Sequence, residues 1–193
     1  MEIKKIESKK LPSVLLWDKS MSNIVCPLAS NFDEKLENLA KTMFEVMIAY
    51  NGIGLAAPQI DANIAVAVMC YEDWQRVMVN PEIVESSGVS FMFEQCLSLP
   101  GASVTGRSMN NRGQVKRAAE ITVRYLDVRG AEVTESYRDL KAHIVQHEVE
   151  HLHGKFIFER MGSLERGVFM RKFYNFKRWH ARVENGTPDT ARV

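Results

Sequence analysis

The segment Gln146-His147-Glu148-Val149-Glu150-His151 constrains this chain more than any other, because two histidines stand four residues apart and a glutamate follows the first. On a helix with about 3.6 residues per turn, positions i and i+4 lie about 40° apart, so both imidazoles can bind one ion. Glu148 flanks that ion and is suited to take a proton from metal-bound water. The pattern predicts a catalytic divalent metal.

The segment around these histidines has the signals of a helix from Tyr137 to His153. Ser136 and Asp139 form a predicted N-terminal capping pair, and Gly154 stands where a left-handed C-terminal cap belongs. The helix is apolar on two sides, so we expect it to cross the middle of the domain with partly desolvated histidines. Only a narrow polar strip remains, formed by Gln146, Glu150 and His153.

Length and charge limit the class of protein. The 193 residues fit one catalytic domain, expected over 1–183, with a flexible tail over 184–193. A net charge of +1 argues against a generally cationic nucleic-acid-binding protein, and we expect no DNA partner. No apolar run approaches the roughly 20 residues of a membrane span, and the charged segment Met1–Lys10 lacks the apolar core of a secretory signal. We therefore expect a cytoplasmic protein.

Other segments predict an α+β chain. Ser30 and Asp33 start a helix that ends at Asn51-Gly52. Pro81 predicts an edge or a bend in its strand, and the polar stretch Ser103–Arg117 is predicted to be a mobile loop. The predicted strands are Asn63–Cys70, Arg76–Ser86, Ile121–Val128 and Glu132–Ser136, the last two joined as a hairpin through Arg129-Gly130.

The last segment, Ser163–Val183, predicts an amphipathic basic helix. Two interpretations stay open: a solvated basic face over a packed stripe, or a contact with RNA or an acidic surface. The apolar stripe consists of Leu164, Val168, Phe169, Phe173, Phe176 and Trp179, and the interleaved cations are Arg166, Arg171, Lys172, Lys177, Arg178 and Arg182.

A catalytic site of this kind takes three protein ligands, and the residues alone leave the third ligand open. A third histidine six residues after His151 is excluded, because that position is Ile157. Later glutamates such as Glu165 remain candidates. Of the three cysteines, which include no Cys-x-x-Cys pair, Cys26 and Cys70 are expected to be small buried hydrophobes.

Two upstream segments, Gly52-Ile53-Gly54-Leu55-Ala56-Ala57-Pro58-Gln59 and Glu94-Gln95-Cys96-Leu97-Ser98, stand in order before the histidine pair. Together the three segments resemble the signature motifs of peptide deformylases, Gly-x-Gly-x-Ala-Ala-x-Gln, Glu-Gly-Cys-Leu-Ser and Gln-His-Glu-x-Asp-His. The resemblance covers about residues 44–158. Gln95 departs from the family glycine and Glu150 from the family aspartate; Arg117 is our expected partner for Glu150.

The resemblance implies an α+β fold, with small antiparallel β-sheets packed around a central metal-binding helix and a C-terminal helix. It implies Cys96, His147 and His151 as ligands of iron(II), for which zinc, nickel or cobalt can substitute. Glu148 matches the general acid/base, and Gln59 and the Leu97 N–H match the donors to the oxyanion formed when metal-bound hydroxide attacks the formyl group.

The implied substrates are N-formylmethionyl peptides of newly made proteins, with a ribosome contact through the C-terminal helix as an expected partner interaction. His143 is expected to approach the substrate pocket, either as a donor to the site or as a satisfied core histidine. The expected pocket residues are Ile53, Gly54, Leu55, Leu140, His143 and Ile144.

Two rival functions follow from the same sequence. The first is a zinc endopeptidase that uses His147, His151 and Glu165, with Cys96 uninvolved. The second is a binding or ribosome-associated factor that retains the metal and in which Gln95 blocks turnover.

Overall fold

The computed structural model describes residues 11–22, 24–101 and 113–184. It contains helices α1 (Glu34–Ala49), α2 (Asp139–His151) and α3 (Ser163–Glu184). The strands are β1 (Gly54–Ala56), β2 (Val66–Tyr71), β3 (Trp74–Ser87), β4 (Ser90–Glu94), β5 (Gly113–Arg117), β6 (Glu120–Leu126) and β7 (Glu132–Arg138). Three short 3-10 turns cover Lys19–Met21, Ala57–Ile60 and Ile157–Arg160.

All strand pairs are antiparallel, as expected for the predicted α+β fold. Five strands form one sheet in the order β1-β2-β3-β6-β7, and β4 pairs with β5 in a second, two-stranded sheet. Helix α2 lies between them and buries residues on nearly every side from Ala142 to Val149. This confirms the prediction of a central helix surrounded by small sheets.

Helix α1 forms where the sequence predicts it. The Asp33 side chain accepts hydrogen bonds from the backbone N–H groups of Lys35 and Leu36, which satisfies two donors that the first turn leaves free. At the other end, Asn51 adopts a left-handed conformation with φ of 54°. The buried face of α1 packs with strands β1 and β2 into one core cluster.

The predicted start of α2 is wrong. Tyr137 belongs to β7, Arg138 is the N-cap residue, and no side chain caps the first turn. The reason is that β7 pairs with β6 as far as Arg138 opposite Glu120, so this backbone is held in the sheet. Gly154, with φ of 65°, ends the helical region as predicted.

The hairpin between β6 and β7 is confirmed, with Gly130 at φ of 85°, and the ladder between β3 and β6 is irregular near Pro81, as expected. The prediction of a loop up to Arg117 is wrong for its last five residues, which form β5. Val115 in this strand is fully buried, and Arg117 is nearly so. The segment was misread as a loop because these two inward-facing side chains stand among polar residues. Residues 103–112 of that predicted loop lie outside the described residues.

Helix α3 has nearly the predicted bounds, but only part of its apolar stripe is packed. Phe169 and Phe173 are buried against an aromatic cluster of Trp17, Phe156 and Phe158, whereas Leu164 is 84% exposed. Glu184, the predicted first tail residue, still belongs to the helix, and 185–193 lie outside the described residues.

Cys26 is buried as predicted, while Cys70 is only half-buried. Among the described residues, the helices are too short or too polar for any of them to cross a bilayer.

Candidate metal centre

Cys96, His147 and His151 converge on one point in the middle of the molecule. One ligand atom from each lies within 4.8 Å of the other two, and all three residues are buried. The Cys96 Sγ atom is 3.3 Å from His151 Nε2, although the two residues are 55 positions apart. Helix α2 supplies both histidines from consecutive turns, and the chain leaving β4 brings the cysteine to them.

The orientation of both imidazoles fits a metal ion. His147 Nδ1 is 2.9 Å from Glu94 Oε2, and His151 Nδ1 is 3.1 Å from the Lys155 carbonyl oxygen. Each acceptor requires the ring proton on Nδ1, which leaves both Nε2 atoms as ligands. In a tetrahedral zinc-type site, sulfur and nitrogen ligands are about 3.5 Å apart, close to the Cys96–His151 distance.

Protonation differs between the two histidines. Burial lowers the pKa of His151 well below its usual value, so this ring is neutral and ready to ligate. Burial also opposes a charge on His147, but its hydrogen bonds with Cys96 and Glu94 raise its pKa well above the usual value. A cation that binds here therefore displaces a proton.

Glu94 is the carboxylate that orients this centre. Its Oε1 accepts from Arg117 Nε at 2.6 Å and from His143 Nδ1 at 2.7 Å, and its Oε2 accepts from Arg117 Nη2 and His147 Nδ1, both at 2.9 Å. Burial alone would favour the neutral acid, but these hydrogen bonds hold the Glu94 pKa well below its ordinary range. The carboxylate is therefore charged and fully paired.

Arg117 extends this network outward. Its side chain is fully buried, and its Nη1 donates to Glu150 Oε2 at 2.9 Å, as expected from the sequence. The other oxygen of Glu150 accepts from Arg160 Nε at 2.7 Å. Two arginines and two glutamates thus alternate from the surface to His147, and each buried charge has an opposite neighbour.

Glu148 follows His147 on the same helix turn, about 100° further around the helix, and its environment contrasts with that of Glu94. Only 4% of the residue is exposed, and its Oε2 has no hydrogen-bond partner among the described residues. Burial raises its pKa to about 7, despite the favourable charge of neighbouring His147. A carboxyl group with this pKa can both accept and donate a proton near neutral pH.

Gly54 in β1 lies against Glu148. A Cβ atom at this position would lie 2.8 Å from Glu148 Cδ, closer than packed carbons allow. The absence of a side chain at Gly54 therefore allows the catalytic candidate to occupy its buried position.

Gln59 is held with its amide group toward Cys96. Its Oε1 accepts from the Ala56 N–H at 2.8 Å, and its Nε2 lies 3.7 Å from Cys96 Sγ and 3.2 Å from Ser98 Oγ. The acceptor bond from Ala56 determines which end of the carboxamide faces the centre. Only 2% of Gln59 is exposed, so its position is set by packing.

A cleft of about 910 Å³ opens onto the centre. The predicted site residues that line it are Gln59, Cys96, Leu97, His147 and Glu148, together with the predicted pocket residues Ile53, Gly54, Leu140, His143 and Ile144. Leu55 differs from the prediction. Successive strand residues face opposite sides, so Leu55 points away from the cleft and is fully buried in the core with Met43 and Val68.

Sequence reasoning assigned no role to Glu94 and treated Gln146 as part of a surface strip. Gln146 is in fact buried, and its carboxamide pairs with both the N–H and the carbonyl of Ala118. A signal for Glu94 was present, because a metal-binding histidine usually donates its second N–H to a carboxylate, and Glu94 stands two residues before the cysteine ligand.

The chain is similar to peptide deformylases in both sequence and fold. Residues 13–167 match the model of the polypeptide deformylase family. A peptide deformylase from Dictyoglomus thermophilum is 44% identical over 130 residues, covering 66% of this chain and 78% of that protein. One from Chlorobium phaeovibrioides is 32% identical over 181 residues, 90% of each chain.

Solved structures agree with these matches. The crystal structure of a peptide deformylase from Legionella pneumophila superposes with a TM-score of 0.80 at 34% identity, covering 90% of this chain and 99% of that one.

Proposed function

Given that the chain belongs to the peptide deformylase family of enzymes, we propose that it removes the N-formyl group from N-formylmethionyl peptides of newly made proteins. The observation that carries this proposal is the meeting of Cys96 with His147 and His151 beside Glu148. Formamide hydrolysis needs an activated water, donors for an oxyanion and a proton for the departing amine. The cleft has a candidate for each.

The metal supplies two things when bound by these three residues: it lowers the pKa of water and polarises the formyl oxygen. We propose iron(II), with zinc, nickel or cobalt as substitutes, because one thiolate and two imidazoles suit all four ions. The network of Glu94 supports the ligand role of His147, since it holds the ring in one tautomer.

Glu148 is the proposed general acid and base. Glu148 lies in the wall of the cleft, its Oε2 has no hydrogen-bond partner among the residues that the structure describes, and its raised pKa matches a group that takes a proton from water. The same carboxyl group then gives that proton to the nitrogen of the departing amine. Among the described residues of the lining, the other carboxyl groups differ from Glu148, because Glu94 is fully paired and Glu184 is exposed.

Gln59 and Leu97 are the proposed oxyanion donors. Gln59 Nε2 points toward Cys96, and Leu97 follows Cys96 directly in the wall of the cleft. Donors that are already in place stabilise developing negative charge without a cost of reorganisation. The Ala56 bond to Gln59 Oε1 supplies that preorganisation.

The substrate backbone would pair with β1. This strand lies at the edge of the five-stranded sheet, and Ile53 and Gly54 line the cleft. An extended peptide can therefore add as a further strand. Leu140, His143 and Ile144 from α2 would then surround its first side chain.

We propose a ribosome contact through α3 as the partner interaction, and with it a cytoplasmic location. Its support is charge: Arg171, Arg178 and Arg182 are exposed on this helix, and rRNA is an acidic surface.

The test uses protein prepared without oxygen and loaded with iron(II), assayed with formyl-Met-Ala peptides. We expect release of formate by the wild-type protein and loss of both metal and turnover in Cys96→Ala. Full metal loading without turnover would favour the binding-factor rival and contradict the proposal.

The endopeptidase rival is separated by Glu165→Ala. The Glu165 carboxylate accepts from the Gln114 N–H at 2.7 Å, away from the ligand cluster formed by the described residues. We expect this variant to keep metal and turnover. If it lost both while Cys96→Ala kept them, the deformylase assignment would fail.

A further inference from the structure

Gln95 is the residue at which this chain departs from the family motif directly before the cysteine ligand. The family residue is glycine, but Gln95 is not among the described residues that have a positive φ, so the backbone at this position does not require glycine. Gln95 is exposed and lines the cleft. No other described residue is hydrogen-bonded to its carboxamide. The departure from the motif therefore adds an accessible polar group to the cleft.

Side chains alternate along the segment that leaves β4. Phe93 and Gln95 are exposed, whereas the side chains of Glu94 and Cys96 reach the histidines of α2. Phe93 is 68% exposed and, like Gln95, lines the cleft. Residues two apart in an extended segment share a face. Phe93 and Gln95 therefore form the outer face of this wall, which is turned away from α2.

The strand β1 and the segment after β4 approach α2 from different directions. Gly54 of β1 packs against Glu148, while Glu94 binds His143. His143 and Glu148 are five positions apart on α2, which corresponds to a rotation of about 140° around the helix axis. Both segments line the same cleft. A peptide that extends β1, as in the proposed function, would therefore run past Gln95 on its other side.

The alternation of side chains in the substrate decides which one lies on the side of Gln95. In the proposed function, the first side chain enters the pocket formed by Leu140 and Ile144 of α2. The second side chain of an extended peptide then points away from α2, as the Gln95 side chain does. Neighbouring extended segments interact through such pairs of side chains on the same face.

We propose that Gln95 is a specificity-determining residue, and that it favours formyl peptides whose second side chain carries a hydrogen-bonding group. This inference rests on the proposed function and names the preferred substrates of the same site. A carboxamide both donates and accepts hydrogen bonds, so Gln95 can pair with asparagine, glutamine, serine or threonine at the second position. The family glycine has no side chain with which to make this contact.

The test compares kcat/KM for formyl-Met-Asn-Ala and formyl-Met-Leu-Ala, whose second side chains have similar shapes but differ in hydrogen bonding. Wild-type protein, Gln95→Gly and Gln95→Leu are each assayed with both peptides on one iron(II) preparation, so incomplete folding or metal loading cancels in the ratio. We expect the asparagine-to-leucine ratio to fall at least about threefold in both variants. The glycine variant separates the loss of the carboxamide from any attraction between two leucine side chains.

Gln95→Glu tests the same contact with a charge. The ratio of kcat/KM for formyl-Met-Lys-Ala to that for formyl-Met-Gln-Ala should rise at least about twofold, because an exposed carboxylate attracts a nearby ammonium group. Gln75→Leu is the matched control, since Gln75 is an exposed glutamine of β3 that does not line the cleft. We expect this control to keep the wild-type asparagine-to-leucine ratio.

Two results overturn the inference alone. The first is an asparagine-to-leucine ratio that falls less than about threefold in either Gln95→Gly or Gln95→Leu. The second is a lysine-to-glutamine ratio that rises less than about twofold in Gln95→Glu. Either result leaves the proposed deformylase function intact. If wild-type protein hydrolyses none of the formyl peptides, the proposed function is wrong and the inference falls with it.

Discussion

Two buried glutamates, Glu94 and Glu148, are neighbours of His147 and have opposite surroundings. Glu94 accepts four hydrogen bonds from Arg117, His143 and His147, which hold its pKa well below the ordinary range. Glu148 has an oxygen without a partner among the described residues and a pKa of about 7. The comparison teaches that surroundings, and not residue type, distinguish a carboxylate that orients a neighbouring histidine from one suited to proton transfer.

The largest effect is expected on the Glu148 side. Glu148→Gln keeps the shape of the side chain but cannot accept a proton, so kcat for formyl-Met-Ala should fall about 10²–10⁴-fold. The free energy of unfolding should not decrease, because a buried carboxyl group without full pairing is replaced by a neutral one. Formate release and thermal melting measure the two expectations.

Glu45→Gln, an exposed change on α1, is the control for Glu148→Gln. If Glu148→Gln kept the wild-type kcat, Glu148 would not be the general acid and base.

Glu94→Gln should give the opposite pattern. The amide would turn an N–H toward donors of Arg117 or His147 and leave the buried guanidinium without its full charge partner. We expect a loss of about 3–5 kcal/mol in the free energy of unfolding, and metal affinity lower by about 10–100-fold. Denaturant unfolding and metal titration test both; unchanged stability would show that Glu94 does not hold the site.

Gly54→Ala tests how tightly β1 confines Glu148. The added Cβ would displace the carboxylate, and we expect kcat to fall about 10–100-fold, since small misplacements near the reacting groups are costly. Gly167→Ala is the control, because a Cβ at Gly167 in α3 would meet no atom of the described residues within 4 Å beyond its chain neighbours and the backbone of its own helix. That change should leave kcat as it is and stabilise the helix by up to about 1 kcal/mol. Equal kcat in both variants would contradict the close packing of Gly54 against the Glu148 side chain.

The smallest effect concerns a third glutamate, Glu135, outside the site on β7. Hydrogen bonds from Arg76, Tyr137 and Tyr125 lower its pKa to about 2, with Arg76 contributing most. A lowered folded-state pKa adds stability that is present above the unfolded pKa near 4.5 and is lost as pH falls toward 2.

Because the Glu135 side chain is 29% exposed and that of Arg76 36% exposed, solvent reduces this contribution to about 1 kcal/mol or less. Unfolding of wild type and Glu135→Gln should therefore differ at pH 7 and converge near pH 2. A constant difference across that range would mean that the carboxylate charge contributes nothing.

Much of the site was predictable because its signals are local. The spacing of His147 and His151 requires only helical periodicity, and the short segment around Cys96 carries its own pattern. The same local logic failed for the cap at Ser136, where pairing with β6 prevailed, and for β5, whose polar sequence hides one buried valine. Leu55 was misplaced because its motif does not reveal which face of β1 lines the cleft.

The sequence alone determined which reactive groups are available: two imidazoles in helical register, a glutamate next to one of them, and a thiol that only the family motifs identified as the third ligand. Tertiary structure decided what each group does. Glu94 and His147 are 53 positions apart, and Cys96 and His151 are 55 apart, so only the packing of the two-stranded sheet against α2 brings them into contact. Burial and hydrogen bonding, which set pKa and orientation, exist only once those distant segments have met.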